Sequence, residues 1–142
     1  MLAGRKGWKV DKIVNDLDED VIEHIHFTGY IEDDDLPSIY HFANLFVYPS
    51  KYEGFGIPPL EAMACETPVI TSDAASLPEV CGGAAVYFKN NDLENLKKTM
   101  RKILNGKEDF VARYVKVGLE QSRNFSWKNE AIKLNSYLET LK

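Results

Sequence analysis

The sequence contains little that favours a secreted or membrane-spanning protein. Its 142 residues include only two cysteines, Cys65 and Cys81. Their spacing fits neither a metal site nor a secreted disulfide scaffold, so we expect both to be reduced packing residues. No apolar run approaches the roughly 20 residues of a membrane span. The first residues also lack the pattern of a signal peptide, in which a positively charged segment precedes an apolar one. These absences predict a cytoplasmic location.

An excess of positive charge is also lacking. The formal net charge is -5, whereas a nucleic-acid-binding surface needs lysine and arginine to dominate one face. We therefore expect no nucleic-acid partner, and an anionic ligand must be bound by local groups. The chain is 44% hydrophobic and 27% charged, without internal repeats or low-complexity linkers. This composition predicts a single globular domain over residues 1–142.

Short apolar runs alternate with helix signals along most of the chain. Amphipathic or capped segments at 10–17 and 36–42 predict helices, the second one capped by Asp34 or Asp35. Apolar runs predict strands at residues 1–3, 24–27, 45–48, 69–71 and 85–88. Short buried strands separated by helices indicate an α/β protein with a Rossmann-like, doubly wound parallel sheet.

Ligands of doubly wound proteins bind at the carboxyl ends of the strands. The loops that follow the strands should therefore converge on one rim of the sheet. These loops are residues 4–8, 28–31, 50–56 and 72–76.

The most constrained of these loops leads into the segment YEGFGIPPLEA at residues 52–62. Gly54 and Gly56 permit positive φ and the close approach of a ligand. Pro58 and Pro59 fit the first turn of a helix, where a missing N–H costs nothing. A strand, a glycine loop and a helix N-terminus in this order present unpaired amides and a positive dipole end to a phosphate.

Two carboxylates flank this turn, Glu53 in the loop and Glu61 one turn into the predicted helix. Carboxylates do not hold phosphates, but they accept hydrogen bonds from pairs of hydroxyls such as those of a hexose or a ribose. The alternative is that Glu61 only complements the helix dipole and Glu53 is a solvated loop residue. Two prolines, two glycines and two acids in one short segment favour an anion flanked by two polyols, as in a nucleotide sugar.

The segment from Glu53 to Glu61 resembles the Glu-x7-Glu motif of retaining glycosyltransferases of family 4. Other stretches look like signatures of that family in the right order: residues 27–31, 33–36, 61–70, 76–80 and 125–127. From about Gly4 onward, the chain resembles the C-terminal, donor-binding domain of a GT-B enzyme. The resemblance implies hexose transfer from a nucleoside diphosphate sugar to an acceptor hydroxyl with retention, in polysaccharide or glycoconjugate synthesis. It also implies that no metal or other cofactor is needed.

The resemblance assigns roles to individual residues of the motif. Glu53, the candidate catalytic residue, would contact hydroxyls of the donor hexose, and Glu61 would accept both ribose hydroxyls. Phe55 suits a packing role equally well. The turn between the two glutamates would offer amides to the diphosphate, and its residues are Gly54, Phe55, Gly56 and Ile57.

A second set of donor contacts is implied nearer the start of the chain. Its loops would border the nucleobase and the donor through backbone groups, and its residues are Thr28, Gly29, Tyr30 and Gly4. Tyr30 either stacks on the base or is an ordinary surface tyrosine. Arg5 or Lys6 either reaches a phosphate or is a solvated loop cation.

The chain departs from the family pattern at its start, which resembles the second strand of the donor domain. By this resemblance, we expect the first strand-loop-helix unit, with the arginine and lysine that hold the diphosphate, and the N-terminal acceptor domain to be missing from these 142 residues. We therefore expect the isolated chain to be inactive and its sheet to have a gap at the centre. Another chain or self-association as a homo-oligomer would fill that gap. The partner that the resemblance implies for activity is the missing N-terminal acceptor domain or a partner chain. Any peripheral membrane association would come only through the absent half.

Two other functions stay open: a non-catalytic nucleotide-sugar-binding module and an epimerase-like GT-B protein. Weaker patterns favour packing over chemistry. His24 and His26 share one side of a predicted strand, but no third metal ligand is evident. An apolar stripe near the end of the chain either packs on its own domain, pairs with another helix or, as the resemblance implies, is left partly uncovered without the other domain. It consists of Trp127, Ala131, Leu134, Leu138 and Leu141.

Overall fold

The computed structural model describes residues 1–5, 7 and 10–141. The chain forms two compact units, Met1–Leu36 and Pro37–Lys142. The first unit contains two short helices, α1 (Val10–Asn15) and α2 (Glu19–Ile22). α1 ends earlier than predicted, and α2 was not anticipated.

The strands predicted at residues 1–3 and 24–27 are only partly confirmed. They form a single parallel bridge between Leu2 and Phe27. The Leu2 N–H donates to the His26 carbonyl at 2.7 Å, and the Thr28 N–H donates to the Leu2 carbonyl at 3.2 Å. Two short segments have few ladder hydrogen bonds to share, so among the described residues their parallel pairing does not extend into regular strands.

The second unit alternates helices and strands. A helix that begins at the boundary residue, α3 (Leu36–His41), follows a turn at residues 33–35. The elements after α3 are β1 (Phe46–Tyr48), α4 (Ile57–Ala64), β2 (Val69–Ser72), α5 (Leu77–Cys81), β3 (Val86–Phe88), α6 (Leu93–Leu104), α7 (Glu108–Arg123) and α8 (Trp127–Glu139). All three predicted strands of this unit are confirmed within one residue at each end.

The three strands form a parallel sheet in the order β1-β2-β3. All four residues of the central strand β2 are buried. Its run of Val69, Ile70 and Thr71 has the continuous β-branched character of a strand covered on both faces. The parallel sheet with crossover helices confirms the predicted α/β class.

Core packing holds helices against the sheet, including α4, the helix that follows the glycine loop. Ile70 of β2 lies in one buried cluster with Phe88 and Ile103. A Cβ added to Gly118 of α7 would lie 3.1 Å from Met63 Cγ of α4. The absence of a side chain at Gly118 therefore lets α7 pack closely on α4, which fixes that helix against the sheet.

The last helix, α8, begins with Ser126, whose Oγ accepts from the Asn129 N–H at 3.1 Å. None of its residues is buried, and Trp127 is 87% exposed. Of the alternatives for the apolar stripe, packing on its own domain is therefore not observed among the described residues. In the part of the chain that is described, no helix is both long enough and apolar enough to cross a membrane.

Candidate functional site

The glycine loop joins the carboxyl end of β1 to the N-terminus of α4, as predicted. Gly56 is the residue before α4 and has φ 97° and ψ 60°, in the left-handed region. A Cβ at this position would lie 2.6 Å from Leu77 Cδ2. Pro58 and Pro59 follow in the first turn of α4, where they cost no hydrogen bonds. Conformation and space therefore both require glycine at position 56.

Replacing Gly56 with alanine should destabilise the fold because the new methyl group overlaps Leu77 and the backbone keeps a strained φ. We expect the free energy of unfolding to fall by about 1–3 kcal/mol in urea titrations. Gly54 is the matched control, since nothing lies within 4 Å of its added Cβ. An alanine at position 54 that costs as much as one at position 56 would contradict this account.

Glu53 lies in the loop with one carboxylate oxygen fully engaged. Its Oε1 accepts from the Tyr48 hydroxyl at 2.7 Å and from Ser50 Oγ at 2.7 Å. These two hydrogen bonds, first that of Tyr48 and then that of Ser50, lower the pKa of the Glu53 carboxyl, and partial burial opposes them. Oε2 has no hydrogen-bond partner among the described residues. Glu53 is therefore an ionised acceptor with one oxygen available to a ligand hydroxyl.

Tyr48 keeps its proton at neutral pH, because burial and then the bond to Glu53 raise its pKa to about 12. Removing the hydroxyl in Tyr48→Phe should raise the pKa of Glu53 toward its ordinary value, as measured by ¹³C NMR titration of the carboxyl. A lowered carboxyl pKa stabilises the fold above the ordinary pKa, and this stabilisation is lost as the pH falls through the folded value. The stability difference between wild type and Tyr48→Phe should therefore shrink in acid.

The matched control for Tyr48 is Tyr137→Phe, because Tyr137 is 62% exposed on α8. That change should leave the pKa of Glu53 unaltered. An unchanged Glu53 pKa in Tyr48→Phe would show that the Tyr48 hydroxyl does not stabilise the carboxylate.

Glu61 lies on the exposed side of α4, and a buried tyrosine holds it. The Tyr40 hydroxyl donates to Glu61 Oε2 at 3.1 Å. Burial, followed by the nearby Glu61 charge, raises the pKa of Tyr40 above its ordinary value, so Tyr40 stays a donor at neutral pH. Its backbone carbonyl accepts from Thr67 Oγ1 at 2.5 Å, and its ring packs edge-on against Phe46 at 5.2 Å. Among the described residues, Glu61 Oε1 has no hydrogen-bond partner.

Backbone amides lie between the two carboxylates. The N–H groups of Gly54, Phe55 and Gly56 have no acceptor among the residues that the structure describes. The Phe55 ring is 44% exposed and packs edge-on against Phe125 at 5.6 Å. Ile57 opens α4 and is 48% exposed. Unpaired amides at the start of a helix form a site suited to an anion.

Sequence reasoning missed the residues that hold this loop and its carboxylates. Ser76 Oγ donates to the carbonyls of Glu53 and Phe55, at 3.0 Å and 2.9 Å. Ser72 Oγ donates to the carbonyl of Ser50 at 2.5 Å. Ser72 ends β2 and Ser76 lies in the loop that follows it. The sequence did predict that this loop and the glycine loop lie at the same rim of the sheet. No local pattern, however, linked Ser76, or Tyr40 on α3, to the motif.

Candidate residues of the first unit also lie close together. The Gly4 N–H donates to Thr28 Oγ1 at 3.2 Å, and Gly4 forms an antiparallel bridge with Gly29. Gly4 and Gly29 have φ of 111° and 69°, which glycine adopts without strain. Tyr30 is 60% exposed, and Arg5 Cζ lies 5.2 Å from the centre of its ring. Lys6, the other candidate cation, lies outside the described residues.

The weaker candidates gain no support from the structure. His24 and His26 are both exposed. No group of three or more His, Cys, Asp or Glu residues suited to a metal ion occurs within the described ranges. Cys81 is buried and Cys65 is half-buried, and both are free thiols.

Two relatives of this chain are mannosyltransferases of Escherichia coli. It is 41% identical over 132 residues to the O-antigen chain mannosyltransferase B of Escherichia coli, covering 91% of this chain and 34% of that protein. It is 44% identical over 105 residues to the serotype-specific mannosyltransferase WbdA of the same species, covering 74% of this chain and 13% of that protein. The chain thus spans about a third or less of these relatives.

Solved glycosyltransferase structures share the fold. The sucrose-phosphate synthase of Thermosynechococcus elongatus matches with a TM-score of 0.80 and 28% identity, covering 94% of this chain and 33% of that one. Anabaena HepE, solved in complex with UDP, matches with a TM-score of 0.81 and 18% identity, covering 98% of this chain and 40% of that one. These neighbours are GT-B enzymes, which confirms the expected Rossmann-like half of a GT-B fold. Because the family model of the glycosyl transferases group 1 also matches residues 1–120, the chain belongs to that glycosyltransferase family.

Proposed function

We propose that this chain is the donor-binding part of a mannosyltransferase that uses a nucleoside diphosphate mannose and retains the anomeric configuration. The observation that carries the proposal is the loop of Glu53–Gly56, whose unpaired amides lie in the sequence between two carboxylates held by tyrosines, Glu53 in the loop and Glu61 on α4. The choice of mannose rests on the similarity to the two mannosyltransferases of Escherichia coli. The HepE complex with UDP supports a nucleoside diphosphate as the part of the donor that is joined to the sugar.

The loop would bind the donor in three parts. The amides of Gly54, Phe55 and Gly56 bind the diphosphate. The free oxygen of Glu53 accepts from hydroxyls of the hexose, and the free oxygen of Glu61 accepts from the ribose. Ile57 lies beside the diphosphate.

Catalysis at such a site consists mainly of stabilising the departing diphosphate. Charge grows on its oxygens as the glycosidic bond breaks, and preorganised amides stabilise that charge without reorganisation. The lowered pKa of Glu53 makes it an acceptor for the sugar and a poor general acid at neutral pH. The site needs no metal in this scheme, because backbone N–H groups supply the positive ends of the dipoles.

The acceptor side lies outside these 142 residues in our proposal, which rests on the chain's 34% share of the O-antigen mannosyltransferase. The isolated chain would then bind the donor without transferring the sugar. The remaining part of the enzyme, or a partner chain, would supply the acceptor site and any membrane contact. A reducing, cytoplasmic compartment suits the two free thiols.

Calorimetric titration of the 142-residue chain tests the proposal. The panel is mannose and glucose donors of guanosine and uridine diphosphate, with the free diphosphates and monophosphates. We expect one nucleoside diphosphate mannose to bind best, and its monophosphate to bind far more weakly. Absence of binding across the panel, or equal affinity for monophosphate and diphosphate, would reject a diphosphate site.

Retention is tested separately on the full-length enzyme. Proton NMR of the glycoside formed from an α-configured donor should show the α product. A β product would reject retention while leaving the donor site in place.

A further inference from the structure

The loop that follows β2 holds the loop that follows β1 through one side chain. Ser76 Oγ lies 3.0 Å from the carbonyl oxygen of Glu53 and 2.9 Å from that of Phe55. A serine hydroxyl has one proton, so the two carbonyls share a single donor. The hydrogen bonds therefore fix the orientation of two peptide groups of the glycine loop, so that the carbonyls of Glu53 and Phe55 both point toward Ser76.

Fixing these carbonyls also fixes the direction of two amides. In a planar trans peptide, the C=O and the N–H of the following residue point in opposite directions. The carbonyl of Glu53 shares its peptide plane with the N–H of Gly54, and that of Phe55 shares its plane with the N–H of Gly56. Because both carbonyls point toward Ser76, both N–H groups point away from it, to the side where they have no acceptor among the described residues.

Ser76 is itself held rigidly. The preceding residue, Ala75, has φ 49°, a left-handed conformation that alanine adopts only under constraint. The following residue, Leu77, is fully buried and occupies the space beside Gly56. The Ser76 carbonyl accepts from the Val80 N–H at 2.9 Å in the first turn of α5. The hydroxyl is therefore in place before any ligand arrives.

We propose that Ser76 is a positioning residue that presents the amides of Gly54 and Gly56 to the diphosphate of the donor. This inference rests on the proposed function, because it assumes that the glycine loop binds a diphosphate. Ser76 acts through the backbone and does not touch the ligand. Loss of the Ser76 hydroxyl should weaken binding of the diphosphate part of the ligand and leave binding of the nucleoside part unchanged.

The test is a titration of the ¹⁵N-labelled chain with inorganic pyrophosphate, followed by NMR of the Gly54 and Gly56 amides. In Ser76→Ala, we expect the Kd for pyrophosphate to rise about fivefold to tenfold, as for the loss of one hydrogen bond. Ser76→Thr keeps the hydroxyl and should restore binding to within about twofold of wild type. Ser122→Ala is the matched control, because Ser122 Oγ donates to the Leu119 carbonyl of its own helix at 2.9 Å and lies on α7, away from the glycine loop in sequence.

The outcomes separate the inference from the proposed function. Wild type that does not bind pyrophosphate, with no shift at Gly54 and Gly56, contradicts both. Wild type that binds at these amides while Ser76→Ala binds equally well overturns only the role of Ser76, as does equal weakening in the alanine and threonine variants. If Ser76→Ala does not fold, Ser76→Cys keeps the size with a weaker donor. Wild-type affinity in Ser76→Cys would then overturn the inference.

Discussion

Glu61→Ala should raise the Kd of the chain for a nucleoside diphosphate by about tenfold to a hundredfold, as for the loss of a charged acceptor. The reason is that Glu61 Oε1 is free while Oε2 is held by Tyr40 at 3.1 Å, so the carboxylate is already oriented. Calorimetry with the free diphosphate measures the effect without any contribution from the sugar.

Two controls identify the group that Glu61 contacts. Glu79→Ala removes another exposed glutamate, in the first turn of α5, and should leave the Kd unchanged. The 2′-deoxy diphosphate lacks one ribose hydroxyl, so it should bind wild type more weakly than the ribose form. It should lose little further affinity in Glu61→Ala. An unaltered Kd in Glu61→Ala would mean that this carboxylate does not bind the nucleotide.

Glu53→Ala should abolish the preference of the site for one sugar over another. The free oxygen of Glu53 is expected to accept from the hexose, and its charge is secured at neutral pH by the lowered pKa. We expect the affinity gained by adding mannose to the diphosphate to fall by about tenfold or more, because a charged acceptor is lost. Affinity for the free diphosphate should change by less than about threefold.

Glu53→Gln is the informative companion of Glu53→Ala. Glutamine keeps the size of the side chain and can still accept from Tyr48, but it lacks the charge and adds two donors. Its sugar preference should lie between those of wild type and the alanine variant. If Glu53→Ala and Glu61→Ala weakened the free diphosphate and the donor sugar equally, the division of labour between the two carboxylates would be rejected.

Local sequence was sufficient to predict the loop and the helix that follows it. Pro58 and Pro59 place a helix start, and the left-handed φ of Gly56 is a conformation that glycine favours. The alternation of short strands and helices likewise predicted that β1, β2 and β3 are parallel, because each strand and helix signal depends on neighbouring residues.

Contacts between distant parts of the chain could not be predicted in this way. Tyr40 meets Glu61 across 21 positions, and Ser76 meets Glu53 across 23. Nothing in the local pattern around Tyr40 or Ser76 distinguishes them from packing or capping residues. Their roles follow only from the packing of α3 and of the loop after β2 around the motif.

The apolar stripe of α8 shows why the sequence left several alternatives open. Its heptad-like spacing describes which residues share a face, but not what that face meets. Leu134 and Leu138 are 60% and 50% exposed, so the described residues leave this face uncovered.

A crystal structure of the chain with its preferred nucleoside diphosphate tests the central claim most directly. The account predicts phosphate oxygens about 3 Å from the amide nitrogens of Gly54 and Gly56, a normal hydrogen-bond distance, and ribose hydroxyls at Glu61. A diphosphate bound away from this loop, or Glu53 and Glu61 both turned away from the ligand, would contradict it.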